Sequence, residues 1–170
     1  MGWIRYKQSV FKGCGNKMNK IKLNKDEIIK IQQNRDPYLF IDEATEIIPG
    51  HSAKGYYNLK ADNWFFNVHW KNDPNMPGML QIEALVQTCA LALFTLPGNN
   101  GKIAYLTSAN NIKLMKKITP NSRLMIETKI KNFKRGLADC SGQGFINEKL
   151  VCKADFNLIL PDELKKYNLR

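Results

Sequence analysis

His69, Gly78 and Glu83 are the residues whose types and spacing can do chemistry in this chain. All three fall in the stretch from Trp64 to Phe94, W-F-F-N-V-H-W-K-N-D-P-N-M-P-G-M-L-Q-I-E-A-L-V-Q-T-C-A-L-A-L-F. Histidine titrates near neutrality and can both take and return a proton. Glu83 follows it by fourteen residues, inside a run from Met79 to Leu96 that is polar only at Gln81, Glu83, Gln87, Thr88 and Thr95. A carboxyl group in apolar surroundings is paired, neutralised or functional. Gln87 lies one helical turn on and shares its face. Gly78 stands at the start of the run. There the backbone N–H groups of a helix have no partner of their own, and the helix dipole favours negative charge. Pro77 suits the first turn, where its missing N–H costs nothing. A base, an acid and an oxyanion donor therefore lie within one segment.

The run from Met79 to Leu96 must be a helix to place these groups, and Pro97-Gly98 ends it. Such a helix is ~27 Å long at 1.5 Å per residue. It is apolar on nearly every face, so other elements must wrap it. A membrane span is disfavoured, because an acid and two glutamines are costly in hydrocarbon.

The wrapping elements can be read on either side. Asn24 and Glu27 form a capping box before a short helix that ends near Asn34. Asp36-Pro37 breaks it. Tyr38 to Ile48 and His51 to Leu59 read as a hairpin about Pro49-Gly50. Beyond the long helix, strands are expected over Lys102 to Lys113, Arg123 to Lys134, Leu137 to Ile146 and Leu150 to Leu160. The expected class is α+β, one antiparallel sheet wrapped around a long central helix. The expected divisions are a basic N-terminal extension over 1–22, a domain over 23–162 and a tail over 163–170.

Composition excludes several classes. With 170 residues and 44% hydrophobic content, the chain can bury one sizeable core. Cys14, Cys89, Cys140 and Cys152 show neither metal-ligand spacing nor a disulfide framework, which fits a reducing, cytoplasmic compartment. The first residues lack the apolar core and cleavage site of a signal peptide, and Tyr6 breaks the myristoylation pattern. The net charge of +11 is concentrated in residues 1–35 and 110–135, which flank a mildly acidic middle. Such tracts can attract nucleic acid, an anionic membrane surface or an acidic protein, although solvated lysine is an equally good reading.

The segment H-W-K-N-D-P-N-M-P-G-M-L-Q-I-E-A-L-V-Q resembles the active-site segment of the 3-hydroxyacyl-(acyl-carrier-protein) dehydratases, which have the hot-dog fold. Arg35-Asp36-Pro37-Tyr38-Leu39-Phe40-Ile41-Asp42 is similar to that family's R-Y-P-F-L-L-V-D, and Ile118-Thr119-Pro120-Asn121-Ser122-Arg123-Leu124 to its V-x-P-G-D-x-L turn. The resemblance covers residues from about 22 to 160. It implies that His69 takes the C2 proton and that Glu83, from the other subunit of a dimer, protonates the leaving hydroxyl. It also implies that Gly78 polarises the thioester carbonyl, that Gln87 orients the acid and that Tyr105 lies near the acyl tunnel. For Tyr105, ordinary core packing is an equal alternative.

Dehydration of a 3-hydroxyacyl thioester needs this set: a base at C2, an acid at the hydroxyl and a donor for the developing enolate. No metal or organic cofactor is implied, since no second histidine is near and no Gly-rich phosphate loop is present. The partners implied are an acyl-carrier protein or acyl-CoA thioester and further copies of the chain, as a homodimer or a trimer of dimers; nucleic acid is not implied. Val68 and Asn75 depart from the family pattern, and Trp70, Lys71 and Asn72 from that of one branch; Lys71 and Asp73-Pro74 resemble the other, isomerising branch, which has Asp where this chain has Glu83. These departures bear on substrate range more than on chemistry. A non-catalytic hot-dog protein that binds acyl carriers, or a thioesterase, is the alternative.

Overall fold

The computed structural model describes residues 20–70 and 72–167. Residues 1–19, most of the expected basic extension, lie outside the described residues, as do Lys71 and the last three residues of the expected tail. In chain order the elements are β1 (Ile21–Asn24), α1 (Lys25–Ile31), β2 (Glu43–Ile48), β3 (Ser52–Leu59), α2 (Trp64–Val68) and α3 (Gly78–Phe94). They continue with β4 (Tyr105–Leu114), β5 (Ser122–Lys134), β6 (Leu137–Ile146), β7 (Lys149–Ile159) and α4 (Pro161–Lys165). Ile21 and Lys22 thus belong to the first strand.

Seven strands form one antiparallel sheet in the order β1-β2-β3-β5-β6-β7-β4, curved around α3. Alternation drives the wrapping. Along β5, Leu124, Ile126, Thr128 and Ile130 are buried, and the residues between them are exposed. The β5–β6 and β6–β7 hairpins turn on Arg135-Gly136 and Asn147-Glu148, all four at positive φ. Two consecutive left-handed residues match the twist of a two-residue hairpin. These turns fix the registers Lys134↔Leu137 and Ile146↔Lys149.

Helix α3 is buried from Ile82 to Phe94, with only Glu83 partly open. Each large apolar side chain that it buries contributes about 1.5–3 kcal/mol. Gly142 on β6 lets it approach: a Cβ there would lie 3.0 Å from the Leu85 Cβ and 3.2 Å from the Phe156 ring. Among the described residues no helix is long and apolar enough to cross a membrane.

One expectation needs correction, and two short helices come in addition to the expected elements. Tyr38 to Asp42 is not strand; β2 begins at Glu43. Leu39, Phe40 and Ile41 are all buried, and the Phe40 N–H goes to the Gln87 side chain rather than to a neighbouring strand. The stretch before His69 is a short helix, α2, held down by buried Phe65 and Phe66. Another short helix, α4, follows β7, with Pro161 in its first turn.

The two sheet edges differ. At one end, β1 is only four residues long. At the other, β4 is ten residues long and exposes Tyr105, Leu106, Ile112 and Leu114. A long apolar edge strand is a template for pairing with another chain.

Candidate active site

His69 caps α2, its N–H donating to the Phe65 carbonyl at 3.0 Å. Its Nδ1 lies 3.0 Å from the Asn75 carbonyl oxygen. A carbonyl only accepts, so Nδ1 carries the proton of the neutral ring and Nε2 is left as the acceptor. The Trp70 ring stacks on the imidazole, with centroids 4.2 Å apart and planes 17° apart. The residue at position 75 departs from the family pattern, but the contact uses its backbone. The Asn75 side chain acts elsewhere. Its Oδ1 accepts from the Ile118 N–H at 2.9 Å, while the Met76 N–H donates to the Ile118 carbonyl at 2.9 Å. Lys117 and Asp73 form an ion pair across the same turn.

Gly78 opens α3 after Pro77. The Leu80 and Gln81 N–H groups bond back to the Pro77 carbonyl, and among the described residues nothing accepts from the Gly78 N–H. A Cβ at position 78 would collide with Leu114 Cδ1, so a larger residue would have to push β4's last side chain aside. Gly78, His69, Trp70, Asn75 and the end of β4 line a cavity of about 420 Å³.

Glu83 does not open into that cavity. It lies in another, of about 270 Å³, lined by Val86, Ala90, Phe94 and the residues leading into β4, Tyr105 among them. Gln87, 2% exposed, fixes the acid there. Its Nε2 donates to Glu83 Oε1 at 2.8 Å and to the Tyr38 carbonyl at 2.9 Å, and its Oε1 accepts from the Phe40 N–H at 2.9 Å. The Tyr38 phenol is pushed above its usual range, first by burial and then by the nearby Glu83 carboxylate. Tyr105 is half exposed. One chain therefore brings His69 to Gly78, and Glu83 to Gln87 and Tyr105, in two separate cavities.

A family profile described as the FabA-like domain matches residues 33–155. The chain belongs to the FabA-like family. A family member from Syntrophomonas wolfei, a 3-hydroxyacyl-[acyl-carrier-protein] dehydratase FabZ, is 36% identical over 139 residues, covering 82% of this chain and 96% of its own. A FabZ of the same description from Clostridium botulinum strain Kyoto is 46% identical over 112 residues, 64% of this chain and 78% of the relative. Among solved structures, the dehydratase heterocomplex ApeI:P from Xenorhabdus doucetiae superposes with a TM-score of 0.67 at 12% identity, covering 84% of this chain and 97% of that one. This likeness shows the hot-dog fold that the FabA-like chain shares.

In the wall of the His69 cavity, Lys116 and Lys117 were legible as part of a basic tract, whereas nothing in the sequence marked Leu114 and Met115.

Replacing Gln87 by leucine strands the Phe40 N–H and the Tyr38 carbonyl inside the protein and frees Glu83. At about 1–3 kcal/mol for each unmet group, the loss is about 2–6 kcal/mol. Denaturant unfolding at fixed protein concentration should show it as a lower midpoint with an unchanged slope.

Proposed function

We propose that the protein removes water from a 3-hydroxyacyl thioester carried on an acyl-carrier protein, giving the trans-2-enoyl thioester, in fatty-acid synthesis. The observation that carries this reading is the pairing of His69, whose Nδ1 is committed to Asn75, with the unclaimed Gly78 N–H in one cavity. The His69 Nε2 takes the C2 proton, and the electron pair moves toward the thioester oxygen. The Gly78 N–H stabilises that oxygen; loss of one such donor typically costs about 2.7–4 kcal/mol of barrier. Glu83 gives its proton to the C3 hydroxyl, which leaves as water. His69 then holds the C2 proton and Glu83 is the carboxylate, so a proton exchange with solvent resets both.

The two halves of this chemistry meet across a dimer. The His69 cavity lies at the Leu114 end of β4, and the Glu83 cavity lies at its Tyr105 end. Antiparallel pairing of β4 with the β4 of a second copy lays one end beside the other about a two-fold axis. The His69 of one chain then faces the Glu83 of its partner, twice per dimer. The same pairing covers the exposed apolar edge.

The assay is a crotonyl thioester incubated with the purified protein. Hydration bleaches the conjugated enoyl absorbance and releases no thiol. Free thiol would make the protein a thioesterase, and an unchanged spectrum would make it a binder.

Lys113, Lys116 and Lys117 gather where β4 ends, and Lys116 and Lys117 rim the His69 cavity. Charge reversal here should raise KM for the carrier-linked substrate more than for a pantetheine-only one, and should weaken its salt dependence. Steady-state kinetics over a salt series measures both. An equal rise for both substrates removes the carrier from this surface.

A further inference from the structure

Gln81 lies one turn into α3, against the Met76-Pro77-Gly78 bend. Its side chain is 2% exposed, and its Nε2 donates to the Met76 carbonyl at 3.0 Å. Its Oε1 is buried and has no partner among the described residues. An apolar residue of the same size would remove that stranded acceptor but strand the Met76 carbonyl instead. One unmet acceptor replaces another, so folding stability gives no reason for a glutamine here.

The peptide planes of the bend give one. The Asn75 carbonyl, which holds His69, belongs to the plane whose N–H is fixed on Ile118. The Gly78 N–H belongs to the plane whose carbonyl, that of Pro77, accepts from Leu80 and Gln81. Between them stands the Met76 carbonyl, and Gln81 holds it. Two dihedrals separate this carbonyl from the Gly78 N–H, both at Pro77, and the proline ring locks φ, here −51°.

We propose that Gln81 is a positioning residue of the dehydration: by holding the Met76 carbonyl it aims the Gly78 N–H at the thioester oxygen. This rests on the reading of Gly78 as oxyanion donor. The geometry predicts that Gln81→Met lowers kcat about 10²-fold, the scale of a misplaced catalytic group, with KM and the unfolding midpoint little changed.

A merely structural role would leave the substrate's own spectrum unmoved, so the deciding readout is the infrared band of an isotope-labelled enoyl thioester carbonyl. The full-length Glu83→Gln variant serves as parent, because without the acid it should bind the thioester and not turn it over. In the parent the band lies below that of the free thioester; adding Gln81→Met returns it toward the free position. Gln81→Glu in the same parent is the second probe. Its carboxyl donates to Met76 only when protonated, so the band is low in acid and returns in alkali. The parent, measured at both pH values, corrects for His69.

A band as low in Gln81→Met as in the parent, with wild-type kcat in the single variant, overturns the proposal and leaves the role of Gly78 standing. A parent with no lowered band overturns that role and this proposal together. If Gln81→Met does not fold, the Gln81→Glu pair decides: a band that follows pH as described supports the clamp, and one that matches the parent at both values overturns it.

Discussion

Replacing His69 by alanine should lower kcat/KM for a 3-hydroxyacyl thioester by about 10²–10⁴-fold, the usual contribution of a positioned general base. Among the described residues that line the cavity, none can replace His69 in taking the C2 proton. Asn75 offers a carbonyl committed to the ring, Trp70 has no basic atom, and Lys116 and Lys117 are cations. The fold should tolerate the change. His69 is half-buried at a cavity wall, and removing its ring opens the Asn75 carbonyl to water instead of stranding it. The expected result is a loss of rate with an unfolding midpoint close to wild type. Enoyl bleaching at equal concentrations of folded protein measures it. More than a tenth of wild-type activity would remove His69 from the role of base.

What the sequence made legible depended on how much the local pattern constrains the chain. Helix α3 was readable end to end, because only a helix wrapped by other elements can use an apolar run bounded by Pro77-Gly78 and Pro97-Gly98. β5, β6 and β7 were readable because alternation marks β5 and paired turn residues mark both ends of β6. Tyr38 to Asp42 was misread, because its Phe40 N–H and Tyr38 carbonyl are satisfied by the side chain of Gln87, far along the chain, and no local pattern carries that information. α2 was missed for a different reason: five residues, three of them aromatic, are too few to show a period.

The site divides in the same way. The resemblance named His69, Gly78, Glu83, Gln87 and Tyr105, but spacing alone suggests that His69 and Glu83 of one chain meet. The fold sends them to opposite ends of β4. Gln81 was visible only as a polar exception in an apolar run. Its contact with Met76 depends on the turn that the M-P-G bend makes.

The second large effect is a gain. His69→Ala retains Glu83, and Glu83→Gln retains His69, so each homodimer lacks one member of both sites and should be nearly inactive. Mixed in equal amounts and re-equilibrated, half of the dimers carry one chain of each kind. In every such dimer one site takes His69 from one chain and Glu83 from the other and is intact, while its twin is doubly mutated. Recovery of roughly a quarter of wild-type activity follows from the two-fold symmetry. The measurement is enoyl bleaching by the mixture, with a mass tag on one variant to confirm subunit exchange. A site shared between protomers predicts activity that rises toward a quarter as the mixed dimer accumulates. A mixture that stays inactive after exchange is complete would place both residues in one chain and contradict the shared site.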